Sequence, residues 1–152
     1  MLFGNRLRRW VDDTLTTTEF TAFFHQLRER VRELQTFESV QTLLSALQRN
    51  GATAAAKDTF LLALIREYQT RPDVNLNALF LAIFRPVLAR LYGSMVKGTV
   101  DGDGLWNDLT WALLSEVSEY PVERRPDKVP ANVGFGVLKR LSRWSEREAW
   151  YI

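Results

Sequence analysis

The sequence predicts an all-α protein, a compact bundle of five to six helices. Three observations carry that prediction. Apolar residues recur at three- and four-residue spacing through most of the 152 residues, no alternating run extends beyond a few positions, and β-branched residues do not gather into strand-like segments. Start and stop residues then divide the chain into helices of ordinary length.

The threonines at 16–18 open the first long helix, 19–35, with Phe20, Phe23, Phe24, Leu27, Val31 and Leu34 as its apolar stripe. A second helix, 38–50, turns Val40, Leu43, Leu44 and Leu47 inward and stops at Gly51. The third, 54–68, ends ahead of Arg71-Pro72. The fourth, 75–92, carries Leu76, Leu79, Phe80, Ile83, Val87, Leu88 and Leu91, and Pro86 inside it predicts a kink or a split. After Asp101-Gly-Asp-Gly a fifth helix covers 105–119. The last opens at Pro130, a favourable first position, and reaches about residue 150. The break at 70–74 is the one plausible boundary, giving an N-terminal helical extension over 1–72 and a C-terminal three-helix domain over 73–152.

Composition narrows the function without naming it. Apolar residues make up 46%, charged 25% and aromatic 12%, which fits one compact globular unit. With no cysteine and a single histidine, His25, disulfides, thiolate zinc sites, iron–sulfur clusters and multi-histidine metal sites are excluded. The net charge of +2 is too small to announce a nucleic-acid binder. Asp12 and Asp13 interrupt the N-terminus where a signal peptide needs its apolar run. The longest apolar stretches, 60–65 and 78–84, fall well short of the ~20 residues that span a bilayer. Leu2, Phe3, Leu7, Trp10 and Val11, beside Arg6, Arg8 and Arg9, fit an interfacial helix or, more simply, one packed on its own domain. A cytoplasmic protein without a membrane partner is expected.

Catalysis is not expected. Asp101-Gly-Asp103-Gly opens like a calcium loop, but Leu105 and Ala112 stand where its fifth and twelfth ligands belong. Those carboxylates suit the positive end of the fifth helix instead. His25 has Glu29 four residues on and no nucleophile in a recognisable frame. There is no phosphate-binding glycine loop and no motif for a cofactor.

The last two helices hold the informative pattern. In 105–119, Leu105, Trp106, Leu109, Ala112, Leu113 and Val117 form a core stripe. Asn107, Asp108, Trp111 and Leu114 lie on the opposite side, so Trp111 and Leu114 form an apolar patch where water is expected. They either pack beneath the N-terminal helices or bind a partner. Residues 99–120 contain five carboxylates and no basic residue. In 130–150, Gly134, Val137, Leu138, Leu141 and Trp144 are expected inward. Lys139, Arg140, Arg143 and Arg147 share another face, which Arg124, Arg125 and Lys128 extend. Such a strip is either a solvated face paired with Glu146 and Glu148, or a surface that tracks phosphates.

An acidic helix followed by a basic one resembles region two of bacterial RNA polymerase sigma factors, particularly the extracytoplasmic-function type. The resemblance covers residues 75–148. Its elements are the helix ending at Tyr92, the Asp101-Gly-Asp-Gly loop, Leu105-Trp-Asn-Asp-Leu-Thr-Trp-Ala-Leu-Leu, and Val133-Gly-Phe-Gly-Val-Leu-Lys-Arg-Leu-Ser-Arg-Trp. It implies that Asn107, Asp108, Trp111 and Leu114 dock on the polymerase core. It also implies that Lys139, Arg140, Arg143 and Arg147 meet melted promoter DNA, or single-stranded DNA generally, without a region-four helix-turn-helix. The alternative is a helical module for protein–protein interaction or self-association that never touches DNA.

Overall fold

The computed structural model describes residues 2–96 and 102–150, with the side chains of 2–4, 103 and 145–150 excepted. Among the described residues there is no strand. The elements are α1 (Leu2–Leu15), α2 (Thr18–Arg30), a 3₁₀ turn (Arg32–Leu34), α3 (Val40–Leu47), α4 (Ala54–Thr70), α5 (Val74–Ile83), α6 (Arg85–Met95), α7 (Gly102–Glu119) and α8 (Val129–Trp150). The all-helical prediction holds, but among the described residues eight α-helices replace the expected five to six. One addition is α1, and the other arises because the 75–92 helix divides.

Local chemistry explains the boundaries. Thr17, Ser39, Thr53 and Asp73 cap α2, α3, α4 and α5 by accepting a backbone N–H one turn in, with Ser39 and Thr42 forming a reciprocal capping box. The helix expected over 19–35 ends at Arg30, because Val31 becomes extended and lets Val31 and Leu34 enter the core. Gly51 follows α3 where a Cβ would strike the carbonyl oxygens of Ser45 and Ala46. Between α5 and α6 the axis turns by 68° at Phe84, and Pro86 falls in the first turn of α6, where its missing N–H costs nothing.

α4 is the axis of the molecule. Leu61 to Ile65, Glu67 and Tyr68 are all buried, so the central stretch 61–65 is covered nearly all round. It packs on the 3₁₀ turn, α7 and α8, while α1 lies on α5 and α7. Val11, Phe24, Leu64, Phe80, Leu109 and Val137 belong to one hydrophobic core. The expected division at 72/73 therefore runs through a continuous core. Leu7 and Val11 turn α1 inward, as the simpler reading of that segment held. No single described helix is long and apolar enough to cross a membrane.

Candidate functional site: the outer face of the α7–α8 hairpin

The site begins with what fixes the end of α7 and the start of α8. Gln69 of α4 donates its amide to the carbonyls of Val117 and Tyr120, at 3.1 and 2.9 Å, and so closes the C-terminus of α7. Asp58, also on α4, accepts the backbone N–H groups of Lys128 and Val129 at 3.0 and 2.9 Å. It thereby caps α8 from a distant point in sequence. Lys128 takes the left-handed conformation, φ 54°, to make that turn. Between these anchors the Tyr120 hydroxyl donates to the Arg125 carbonyl at 2.7 Å and accepts from Asn132 at 3.2 Å. Burial raises the Tyr120 pKa, with the Asn132 hydrogen bond acting against it. The loop that carries Arg124 and Arg125 is thus held against the start of α8.

α7 and α8 run antiparallel and meet through a charge clamp. Arg140 donates from Nε to Glu116 and from Nη2 to Glu119, both at 2.9 Å. Gly136 makes this possible, because a Cβ there would collide with the Glu116 carboxylate. Burial works against the Arg140 charge, but its hydrogen bonds to Glu119 and Glu116 outweigh that and raise its pKa.

Of the four cations expected on nucleic acid, Arg140 is therefore committed to the helix pair. Its partners Glu116 and Glu119 lie on α7. Lys139 and Arg143 are exposed. The side chain of Arg147, like those of Glu146 and Glu148, lies outside the described residues. Lys139, Arg143, Arg124 and Arg125 line a groove of about 490 Å³ together with Tyr120 and Phe135. Phe135 is 71% exposed. Glu116 and Glu119 line the same groove but are held by Arg140, so an exposed apolar ring sharing it with four other cations suits stacking on a base while arginines meet phosphates.

Phe135 was not singled out in the sequence, and Leu138, expected inward, is exposed. The buried stripe of α8 is Val129, Val133, Val137 and Leu141, with Trp144 packed against it. That stripe is rotated by about 50° from the expected one. Centring the helical wheel on the valines puts Phe135 directly opposite the core.

On α7 the expected outward set divides. Leu105, Leu109, Ala112, Leu113 and Val117 are buried as the stripe requires, and Trp106 is half-buried, stacked on Tyr92 at 4.5 Å. Trp111 is 60% exposed, and Asn107 and Asp108 beside it are exposed. Leu114 is half-buried against the core and contributes less surface than expected. The wheel turns Trp111 away from the buried stripe of α7, and Phe135 and Lys139 away from that of α8. The Asp101 and Asp103 carboxylates lie outside the described residues. No protein-family model, curated protein or solved structure matches the chain.

Proposed function

We propose that the outer face of the α7–α8 hairpin binds single-stranded nucleic acid in the groove around Phe135 and a protein partner at Trp111. The observation that carries the nucleic-acid half is Phe135, exposed in a groove that Lys139, Arg143, Arg124 and Arg125 also line, where Glu116 and Glu119 are held by Arg140. A stacking ring beside backbone-neutralising cations favours an open strand, whose bases are free to stack, over a duplex. The resemblance to sigma region two supplies concrete ligands: melted promoter DNA for the groove and the RNA polymerase core for Trp111, Asn107 and Asp108. A protein–protein module without DNA binding is the second reading, and the exposed Trp111 favours it.

Fluorescence anisotropy with a labelled single strand separates the two. Four neutralised phosphates give a slope of log affinity against log salt of about −3. Lys139→Glu with Arg143→Glu should remove binding, and Phe135→Ala should weaken it while leaving the slope unchanged. Absence of binding at low salt, with the fold intact, refutes the nucleic-acid half. Co-elution with bacterial core RNA polymerase, lost in Asp108→Arg or Trp111→Ala, tests the partner half.

A further inference from the structure

We infer that a second surface, formed where α6 turns away from α5, is a docking groove for an acidic amphipathic helix. The 68° turn at Phe84 leaves a concavity of about 800 Å³ between α6 and the α3–α4 segment. Leu44, Leu47, Ile83 and Val87 line it and are only half-buried. Each sits on a helix whose inner side is already filled, by Val40 and Leu43 on α3 and by Leu79 and Leu88 on α5 and α6. These four side chains pack against the edge of the core and still present surface to one trough.

Charge identifies the occupant. Arg49, Arg85 and Arg90 line the trough against one carboxylate, Asp12, which is already bound to Arg85 at 2.7 Å. Among the described residues neither Arg49 nor Arg90 has a carboxylate partner, and they come from opposite sides, the α3–α4 turn and α6. A helix lying in a trough presents apolar side chains at every third and fourth position to the floor and flanking residues to both margins. Glutamates at those flanks would reach Arg49 on one side and Arg90 on the other. A fatty acid brings a single carboxylate, whereas a helix brings several.

The test uses the full chain and a fluorescein-labelled peptide of about 18 residues, long enough for several helical turns. It carries leucines three and four apart, glutamates flanking them and alanine elsewhere, and is compared with a counterpart bearing lysine for every glutamate. The acidic peptide should bind about tenfold more tightly or better, since several rim charges change from attraction to repulsion. Val87→Asp should abolish its binding. Arg49→Glu with Arg90→Glu should reverse the preference towards the lysine peptide. Lys139→Glu with Arg143→Glu should leave binding unchanged, which separates this trough from the groove on α8. Equal binding of the two peptides overturns the proposal, as does a charge preference that survives Arg49→Glu with Arg90→Glu, all variants keeping wild-type circular dichroism. Displacement of the peptide by stoichiometric laurate assigns the trough to a fatty acid instead. Concentration-dependent sedimentation abolished by Val87→Asp assigns it to a second copy, and either result also overturns the proposal.

Discussion

Replacing Arg140 by alanine separates a residue that builds the α7–α8 pair from one reserved for DNA. The side chain is 24% exposed, and its two acceptors differ, with Glu116 at 17% and Glu119 at 68% exposure. The Glu119 bond lies mostly in water and contributes roughly 0.2–1 kcal/mol. The Glu116 bond is charge-assisted and largely withdrawn from water, which places it at about 1.5–3 kcal/mol. That remains below the ~3–5 kcal/mol lost on breaking a fully buried ion pair. Arg140→Ala should therefore cost about 2–3 kcal/mol. For a chain of this size that corresponds to a fall in Tm of about 5–10 °C. Urea unfolding followed at 222 nm reads the loss directly, with an unchanged dependence on denaturant if the unfolded state is unaffected. Glu119→Gln, measured alongside, should cost under about 1 kcal/mol. If Arg140→Ala unfolds within about 0.5 kcal/mol of the wild type, the range of an ordinary surface change, the clamp contributes nothing to stability. The arginine would then be free to meet DNA.

Three further outcomes test the same framework. Gly136→Ala should destabilise by about 1–3 kcal/mol, as overpacking does, because its Cβ meets the Glu116 carboxylate; adding Glu116→Ala should cost less than the two single losses combined, which a double-mutant cycle reads. Asp58→Ala removes the acceptor for Lys128 and Val129, and denaturant unfolding should show a loss of about 1–2 kcal/mol. Tyr68 and Tyr120 both have raised pKa values, chiefly through burial. Their neutral forms are favoured by folding, so that contribution is fully present below the unfolded value of 10.0 and disappears as pH rises through the folded values. Stability measured across alkaline pH should fall from about pH 10 upward, and the fall should be smaller in Tyr120→Phe.

Periodicity and capping residues were sufficient to place most of the helices. Phe20, Phe24 and Leu27, or Leu109, Ala112, Leu113 and Val117, repeat at a spacing that only a helix brings to one side. Gly51, Pro86 and the threonines ahead of α2 announced breaks because their backbone chemistry is local. Trp111 was legible as lying opposite the α7 stripe, but whether the N-terminal helices covered it was decided only by their packing, which leaves it exposed. The α8 stripe was less clear, since Leu138 and Val133 compete for the inward position and a phase shift of about 50° decides between them. Leu114 was read as outward from its angle alone, yet neighbouring helices cover half of it.

The charges show most clearly where local reasoning ends. On one helix, Lys139, Arg140 and Arg143 look equivalent, because a helical wheel records angle and not what stands opposite. Only the packing of α7 against α8, with Gly136 leaving room, brings Glu116 and Glu119 to Arg140 and leaves its neighbours exposed. The same holds for Asp58, whose capping of α8 spans 70 residues of sequence, and for the trough that the turn at Phe84 opens between residues distant in the chain. The sequence by itself determined the helical class, most helix starts and stops and the absence of cysteine chemistry, since each follows from interactions within a turn or two of the backbone. Tertiary structure decided which cations are committed, which aromatics are exposed and where the concave surfaces lie, because those depend on which helix faces which.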